Sequence, residues 1–333
     1  MKSSDIFMNN FFHHIYVEKK IYEYEITQNI IKKFKNSGII LIENYKDIFN
    51  RKNQNYNFQK KSPDLILAFK NENYIYKGSP NCQNMGFEEY YYITQTYNCI
   101  YECDYCFLQG MLDSGNILIF VNTEDFFNSV KSIDNKPEKL VSVSYESDML
   151  SVNGIYPLAE KWLDFSETLN NIKIEIRTKS LNTSYLKKGL NKNIILSWSV
   201  LPDEIIKKYE KRTPELSKRI DAVNRAAEYE YKINLAIEPI IVVKNFENIY
   251  SEFIKYIFKN IKAEFINSVS YGFYRIPSEY IKKIKRISQS ELTFYNYILE
   301  NNNYTYGRKI TNEKSSFIQK EIEKYYKGDI YSL

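Results

Sequence analysis

Three of the chain's cysteines, Cys99, Cys103 and Cys106, fall within eight residues, in the run Tyr97-Asn-Cys-Ile-Tyr-Glu-Cys-Asp-Tyr-Cys-Phe-Leu-Gln109. This C-x3-C-x2-C spacing constrains the chain more than any other feature. Thiolates so close together on one short loop can share a metal centre. A closed [4Fe–4S] cluster normally takes four Cys, so three would hold three irons and leave the fourth open to a ligand. A structural zinc site would instead need a fourth ligand from Cys82, His13 or His14. It would also favour paired C-x2-C knuckles, and only one is present. The polar residues Asn98, Glu102 and Asp104 argue against three inert, buried thiols. A disulfide framework does not suit 333 residues with four Cys.

The chain is 44% hydrophobic, enough for one large core or two domains. It contains no apolar run of transmembrane length, and Met1-Lys-Ser-Ser-Asp-Ile-Phe7 lacks the apolar core of a leader. Few, clustered, reduced cysteines point to the cytoplasm and to no membrane partner. Lys and Arg number 46 against 41 Asp and Glu, a net +5 that permits nucleic-acid binding without arguing for it. The 31 Tyr read as compositional bias rather than as a stacking surface.

Hydrophobic periodicity divides the chain into three parts. Residues 1–89 read as a small α/β extension, with strands at Ile15–Val17, Gly38–Ile42 (buried) and Leu65–Phe69, a helix at Ile26–Phe34, and a polar loop over Lys46–Lys61. Residues 90–287 alternate strand and helix. The strands are expected at Tyr90–Thr96, Leu140–Ser144, Ile172–Arg177, Ile194–Ser199, Ile233–Ile237 and Phe265–Phe273, with a short extension at Asn116–Val121. Such alternation implies a mostly parallel sheet. Six βα units are too few to close an eight-fold barrel, so the expected fold is α/β with an open, partial βα barrel. Residues 288–333 read as a mainly helical C-terminal segment, with Tyr304-Thr-Tyr306 between helices.

In βα barrels, sites gather at the C-terminal ends of the strands. Here a polar group follows each expected strand: the three Cys, then Tyr145-Glu-Ser-Asp148, Arg177-Thr-Lys179, Ser199, Glu238 and Arg275. Glu146 and Asp148 also suit helix caps, Lys179 a solvated loop, and Ser199 an N-cap. Glu238, inside Ala-Ile-Glu-Pro-Ile-Ile241, needs a buried partner or a ligand.

The cysteine loop resembles the radical S-adenosylmethionine signature, which has the same spacing and an aromatic where Tyr105 stands. That resemblance implies a [4Fe–4S] cluster, S-adenosylmethionine on its open iron, and a reducing partner such as flavodoxin or ferredoxin. The cofactor's carboxylate suits Lys179 as a point charge and the Ser147 or Ser199 hydroxyl as a donor. Its ribose suits a carboxylate such as Glu238.

A narrower resemblance follows. Cys99-Ile-Tyr-Glu-Cys-Asp-Tyr-Cys-Phe-Leu-Gln109 is similar to the loop of the spore photoproduct lyase family. Ile15–Glu18, Glu146-Ser-Asp148, Thr178-Lys179, Trp198-Ser199, Thr213-Pro with Lys218-Arg-Ile220, and Tyr304-Thr-Tyr306 resemble further short stretches of it. The resemblance implies that Ser147, Lys179 and Ser199 contact S-adenosylmethionine, while Glu238 rests on the strand-end argument alone. It implies DNA as substrate and thymine-dimer reversal as the reaction. Two positions depart from the family. Tyr145 stands where the family has a hydrogen-donating Cys, and Phe107 stands where it has a relay Tyr. Tyr105 and Tyr145 are the remaining candidate catalytic hydroxyls, and Cys82 is the one spare thiol, with no sequence reason to place it in the site. The alternatives are radical chemistry on another nucleotide, a peptide or a metabolite, or a non-catalytic iron–sulfur or zinc protein that binds nucleic acid through clusters such as Lys282–Arg286.

Overall fold

The computed structural model describes residues 12–79, 82–189 and 192–333. The leader reading of residues 1–7 lies outside them. Eight strands form one curved, open sheet in strict chain order: Ile75–Lys77, Glu89–Ile93, Lys139–Ser142, Ile172–Thr178, Ile194–Ser199, Lys232–Ile240, Ile266–Phe273 and Asp329–Ser332. The first two pair antiparallel and all later neighbours pair parallel. Parallel neighbours need crossovers, which the helices Leu158–Ser166, Leu216–Glu228 and Phe246–Asn260 help to supply.

Alternation along the strands separates two faces. In register, Ile176 lies beside Leu196, and Leu196 beside Ile233. These fully buried side chains belong to the main core. The residues between them are largely polar. Arg177 lies beside Ser197, and Ser197 beside Asn234, whose amide donates to Ser197 Oγ and Ser270 Oγ, both at 3.2 Å. The open sheet therefore encloses a polar inner face. One end of that face is plugged by a small apolar cluster of Met85, Tyr90, Leu140 and Ile195.

A second, five-stranded sheet runs in the order Gly38–Ile42, His14–Glu18, Leu65–Ala68, Ile117–Phe120 and Thr96–Tyr97. The sheets therefore do not divide at residue 89. Ile75–Lys77 from before that point joins the large sheet, whereas Thr96–Tyr97 and Ile117–Phe120 from after it complete the small one. The stretch read as one strand, Tyr90–Thr96, is split between the two sheets. Buried Gln95 sits at the crossing. Its amide donates to Thr123 Oγ1 at 2.7 Å, and its carbonyl accepts from the Trp162 indole at 3.0 Å.

Other differences have simple causes. Gly38–Ile42 is an exposed edge strand, not a buried one, because an apolar run alone does not say how many neighbours a strand has. The expected loop at Lys46–Lys61 carries two short helices, Lys46–Phe49 and Tyr56–Lys61. Asp329–Ser332 adds a strand after Phe273. The C-terminal segment has one long helix, Arg308–Glu323, preceded by a hairpin of Ile298–Glu300 and Asn303–Thr305. Among the described residues no helix is long and apolar enough to cross a membrane.

Replacing Gln95 with Leu leaves the Trp162 N–H and Thr123 hydroxyl without this buried partner. A loss of about 1–3 kcal/mol is expected for a stranded buried polar group, read as a lower urea midpoint at unchanged slope.

Candidate active site

The cysteine loop leaves the small sheet through Asn98, which adopts a left-handed φ of +63°. Asn tolerates this conformation better than most residues, and here it is also bonded on all sides. Its amide donates to the carbonyls of Ser114 (2.9 Å) and Asn116 (2.8 Å), and its side-chain oxygen accepts from the Tyr56 hydroxyl at 3.2 Å. Its N–H donates to the Glu146 carbonyl at 3.0 Å, and its own carbonyl accepts from the Ser147 hydroxyl. The loop is thereby tied to the exit of the strand Lys139–Ser142.

The far side of the loop is held by a buried ion pair. Glu102–Cys103 pairs antiparallel with Glu210–Lys211, and the Asp104 N–H donates to the Tyr209 carbonyl at 2.8 Å. Glu210 receives the Tyr105 hydroxyl and Arg219, whose side chain is fully buried with it. Arg219 also donates to the carbonyls of Pro214 and Ser199 (2.9 Å each) and to Thr213 Oγ1 at 2.8 Å. Burial works to raise the Glu210 carboxyl, but the Arg219 and Lys179 charges outweigh it and hold the group below its ordinary value.

Asp148 plays a similar part at the next exit. Its carboxylate accepts from Ser151 N–H (3.0 Å), the Thr178 hydroxyl (2.8 Å) and Lys179 N–H (2.7 Å). It caps the helix Met149–Val152 and fixes the turn that carries Lys179. Burial pushes its carboxyl up against these hydrogen bonds. Thr178 pairs with Trp198, so Lys179 and Ser199 leave adjacent strands side by side. Glu238, two residues beyond the Ser199 partner Ala236, accepts from Arg177 at 2.8 Å through one oxygen. Its other oxygen is buried without a hydrogen-bond partner.

These elements surround one cavity of about 540 Å³ at the C-terminal end of the sheet. The residues nominated from the sequence all line it: Cys99, Cys103, Cys106, Tyr105, Tyr145, Ser147, Lys179, Ser199 and Glu238. Cys103 is buried, while Cys99 and Cys106 are part-exposed, and none of the four cysteines is in a disulfide. Burial raises the Cys103 thiol, opposed by the Lys179 charge. Burial and the neighbouring Cys99 raise Cys106, opposed by Lys60. Lys179 lies 5.7 Å from the centre of the Tyr105 ring, and its ammonium is raised because Glu210 and Cys103 outweigh its desolvation. Among the described residues, no group of three His, Cys, Asp or Glu side chains is gathered as for a single metal ion. A cube differs from such a site in that each thiolate takes a different iron. Three thiols on one loop beside two ammonium groups, which offset an anionic cluster, fit that donor set. His14 opens a strand of the small sheet and His13 precedes it; both are outside the cavity lining, and His14 faces Asp64 at 3.6 Å.

Cys82 is the main correction. It lines the cavity, with Sγ 3.2 Å from the Tyr145 hydroxyl. Its isolation in the sequence carried no signal, since the contact spans 63 residues. Glu210 and Arg219 were also missed, for their roles depend on burial that the pattern around them does not display. Asp148 was legible as a cap, but its hold on Lys179 was not.

A cysteine-lined cavity at the mouth of an open βα barrel defines the radical S-adenosylmethionine class. Residues 11–326 match the family model described as spore photoproduct lyase, and the chain belongs to that family. It is 22% identical over 284 residues to the spore photoproduct lyase of Bacillus subtilis (strain 168), covering 82% of this chain and 80% of that protein. A solved spore photoproduct lyase complexed with dinucleoside spore photoproduct superposes with a TM-score of 0.84 at 18% identity, covering 97% of this chain and 100% of the other. A mutant lyase with bound AdoMet and the same dinucleoside gives 0.80 at 17% identity, covering 96% and 98%.

Arg219→Met removes the ion-pair partner of Glu210 in the interior, leaving it the Tyr105 and Thr213 hydroxyls. A cost of about 3–5 kcal/mol is expected, read by denaturant unfolding. Because the folded Glu210 value is depressed, its stabilisation is present above the unfolded carboxylate value, about 4.3. It is lost as pH falls through the folded value. The wild type is expected to lose stability more steeply than Glu210→Gln below about pH 4, in unfolding curves measured across the acid range.

Proposed function

We propose that this chain is a radical S-adenosylmethionine enzyme that reverses a thymine-dimer lesion of the spore photoproduct type in DNA. The carrying observation is the convergence of the three-cysteine loop with Ser147, Lys179 and Ser199 on one cavity, in a chain that matches the family model over residues 11–326. A [4Fe–4S] cluster on Cys99, Cys103 and Cys106 with S-adenosylmethionine would supply a 5′-deoxyadenosyl radical there. Everything else falls to the chain's own residues.

Lys179 offers a fixed positive charge to the cofactor's carboxylate, and the Ser199 hydroxyl offers a hydrogen bond beside it. Ser147 already spends its proton on the Asn98 carbonyl, so its oxygen serves as an acceptor. The unpartnered oxygen of Glu238 is available to a ribose hydroxyl, while Arg177 holds the other oxygen. The Tyr105 hydroxyl is committed to Glu210. Its role is to position the loop rather than to relay hydrogen. The substrate would occupy the side of the cavity formed by Tyr92, Tyr145 and Arg275. The reductant would be a low-potential flavodoxin or ferredoxin, and free thiols suit a reducing cytoplasm.

The test is anaerobic reconstitution with iron and sulfide, then reduction with S-adenosylmethionine, with and without dinucleoside spore photoproduct. The expected result is 5′-deoxyadenosine formation, abolished by Cys103→Ala, with release of repaired dithymidine. Lys179→Met is expected to weaken S-adenosylmethionine binding at least tenfold, about 1.4 kcal/mol. Nucleoside formation without repaired product moves the activity to another nucleotide, a peptide or a metabolite. No nucleoside from a loaded cluster overturns the enzyme reading.

A further inference from the structure

We propose that the helix Ser278–Ile287 is a track for the phosphate backbone of the DNA strand beside the lesion, with Lys282, Lys285 and Arg286 as its contacts. The inference rests on the lesion-repair reading above and names the surface that holds the DNA outside the cavity.

The helix begins in the cavity wall. Pro277, just before it, and Tyr280, in its first turn, line the cavity, and no later residue of the helix does. From Tyr280 to Ile287 it extends about 10 Å at 1.5 Å per residue. Its apolar side, Ile281 and Ile284, is buried. Lys283 ties it down, donating to the Leu112 carbonyl and to Asp113, both at 2.6 Å. Gly110 lets it lie close against Leu108–Met111, the short helix after the cysteine loop. A Cβ at position 110 would stand 2.3 Å from Tyr280 Cβ. The track is therefore fixed in relation to the cysteine loop.

Lys282, Lys285 and Arg286 are exposed, and at 3.6 residues per turn they fall within one arc of about 100°. Lys283 pairs with Asp113, whereas none of these three side chains has an ion-pair partner among the described residues. Glu279, the helix's one carboxylate, is engaged with the Tyr280 hydroxyl. Spacings of three and four residues make the three charges neighbours, and like charges so placed weaken a helix. A polyanion laid across them turns that repulsion into attraction. Lys282 and Arg286 are about 6 Å apart along the axis, on the scale of successive phosphates of one strand. Beyond the last turn, Asn57 Nδ2 donates to the Ile287 carbonyl at 2.6 Å. The helix bearing Asn57, Tyr56–Lys61, adds an exposed Lys61 and the ring of Phe58, which is 67% exposed. Basic side chains with an aromatic among them suit a single strand, whose bases stack on such rings.

Phosphate contacts set position without reading sequence. That division suits repair of a lesion set in varied sequence: the track supplies affinity and the cavity supplies recognition. An electron carrier with an acidic surface would meet the same charges. DNA is the better occupant because the track starts at the cavity wall, where a strand must emerge if its lesion is seated inside.

The test measures binding of a labelled oligonucleotide carrying one spore photoproduct to the reconstituted full chain, by fluorescence anisotropy between about 50 and 200 mM salt. Repair of that oligonucleotide and of dinucleoside spore photoproduct, which has no flanking strand, is measured alongside. Lys282→Gln, Lys285→Gln and Arg286→Gln combined are expected to lower oligonucleotide affinity at least tenfold. The slope of log affinity against log salt is expected to fall by about 2, for three single-strand contacts. Oligonucleotide repair is expected to fall with the binding, and dinucleoside repair to stay as in the wild type. The same loss of charge at exposed Lys255, Lys259 and Lys262 is expected to leave the slope unchanged. A triple variant that binds and repairs the oligonucleotide like the wild type overturns the proposal, as does an equal loss in the control. Unchanged DNA binding with slower reduction by flavodoxin hydroquinone assigns the face to the electron carrier and overturns it too. A wild type that forms 5′-deoxyadenosine but repairs neither substrate overturns the repair reading, and with it the lesion strand as occupant.

Discussion

The buried contact between Arg219 and Glu210 is the constraint on which the cysteine loop depends. Removing two opposite charges from water costs several kcal/mol each unless every lone pair and proton is matched. The match here draws in the loop itself. The Tyr105 hydroxyl caps Glu210, Thr213 bonds both partners, and the Arg219 guanidinium reaches the Ser199 carbonyl at the mouth of the neighbouring strand. One desolvated pair thus joins the loop between Cys103 and Cys106, the turn after Tyr209, and the strand bearing Ser199. Loosening any member would expose the others to an unpaired buried charge. The aromatic before the third cysteine can therefore be understood as an anchor whose proton is already in use.

The polar inner face of the large sheet follows from strand parity. Once the Ile, Leu and Trp positions turn outward to the helices, residues 175, 177 and 179 share the inner side with 197 and 199. The sheet then carries charge toward its open end, where Arg177 bridges Glu175 and Glu238. An aliphatic interior would have offered no purchase on a ligand with a carboxylate, a ribose and a sulfonium. The cost of burying these groups is offset by their pairing with one another, which leaves Lys179 and one oxygen of Glu238 directed to the cavity.

Much of this was legible because it depends on short-range spacing. Parallel strands of five or more residues announce themselves, and their exits carry the polar residues in chain order, so the cavity lining from Cys99 to Glu238 could be read directly. Three-residue Ile75–Lys77 has too few positions to show a period, and Asp329–Ser332 is too polar to read as a strand. The division of the sheets was hidden because Thr96–Tyr97 continues the apolar run of Glu89–Ile93 while pairing with a different partner. Contacts such as Cys82 with Tyr145, or Tyr105 with Glu210, join residues 63 and 105 positions apart. No local pattern encodes them.

The two departures from the family's loop chemistry take on a single meaning in the folded chain. A phenylalanine at 107 removes a hydroxyl from beside the third cysteine, and a tyrosine at 145 replaces a thiol at a strand exit. Read separately, each subtracts a hydrogen donor. In space, the phenol at 145 meets a thiol brought in on the loop before Glu89–Ile93, so a sulfur and an aromatic hydroxyl remain adjacent within the cavity. Gln83, Ser144 and Glu146, each with a buried polar atom that has no hydrogen-bond partner among the described residues, flank this pair on the cavity wall and keep that side of the cavity polar.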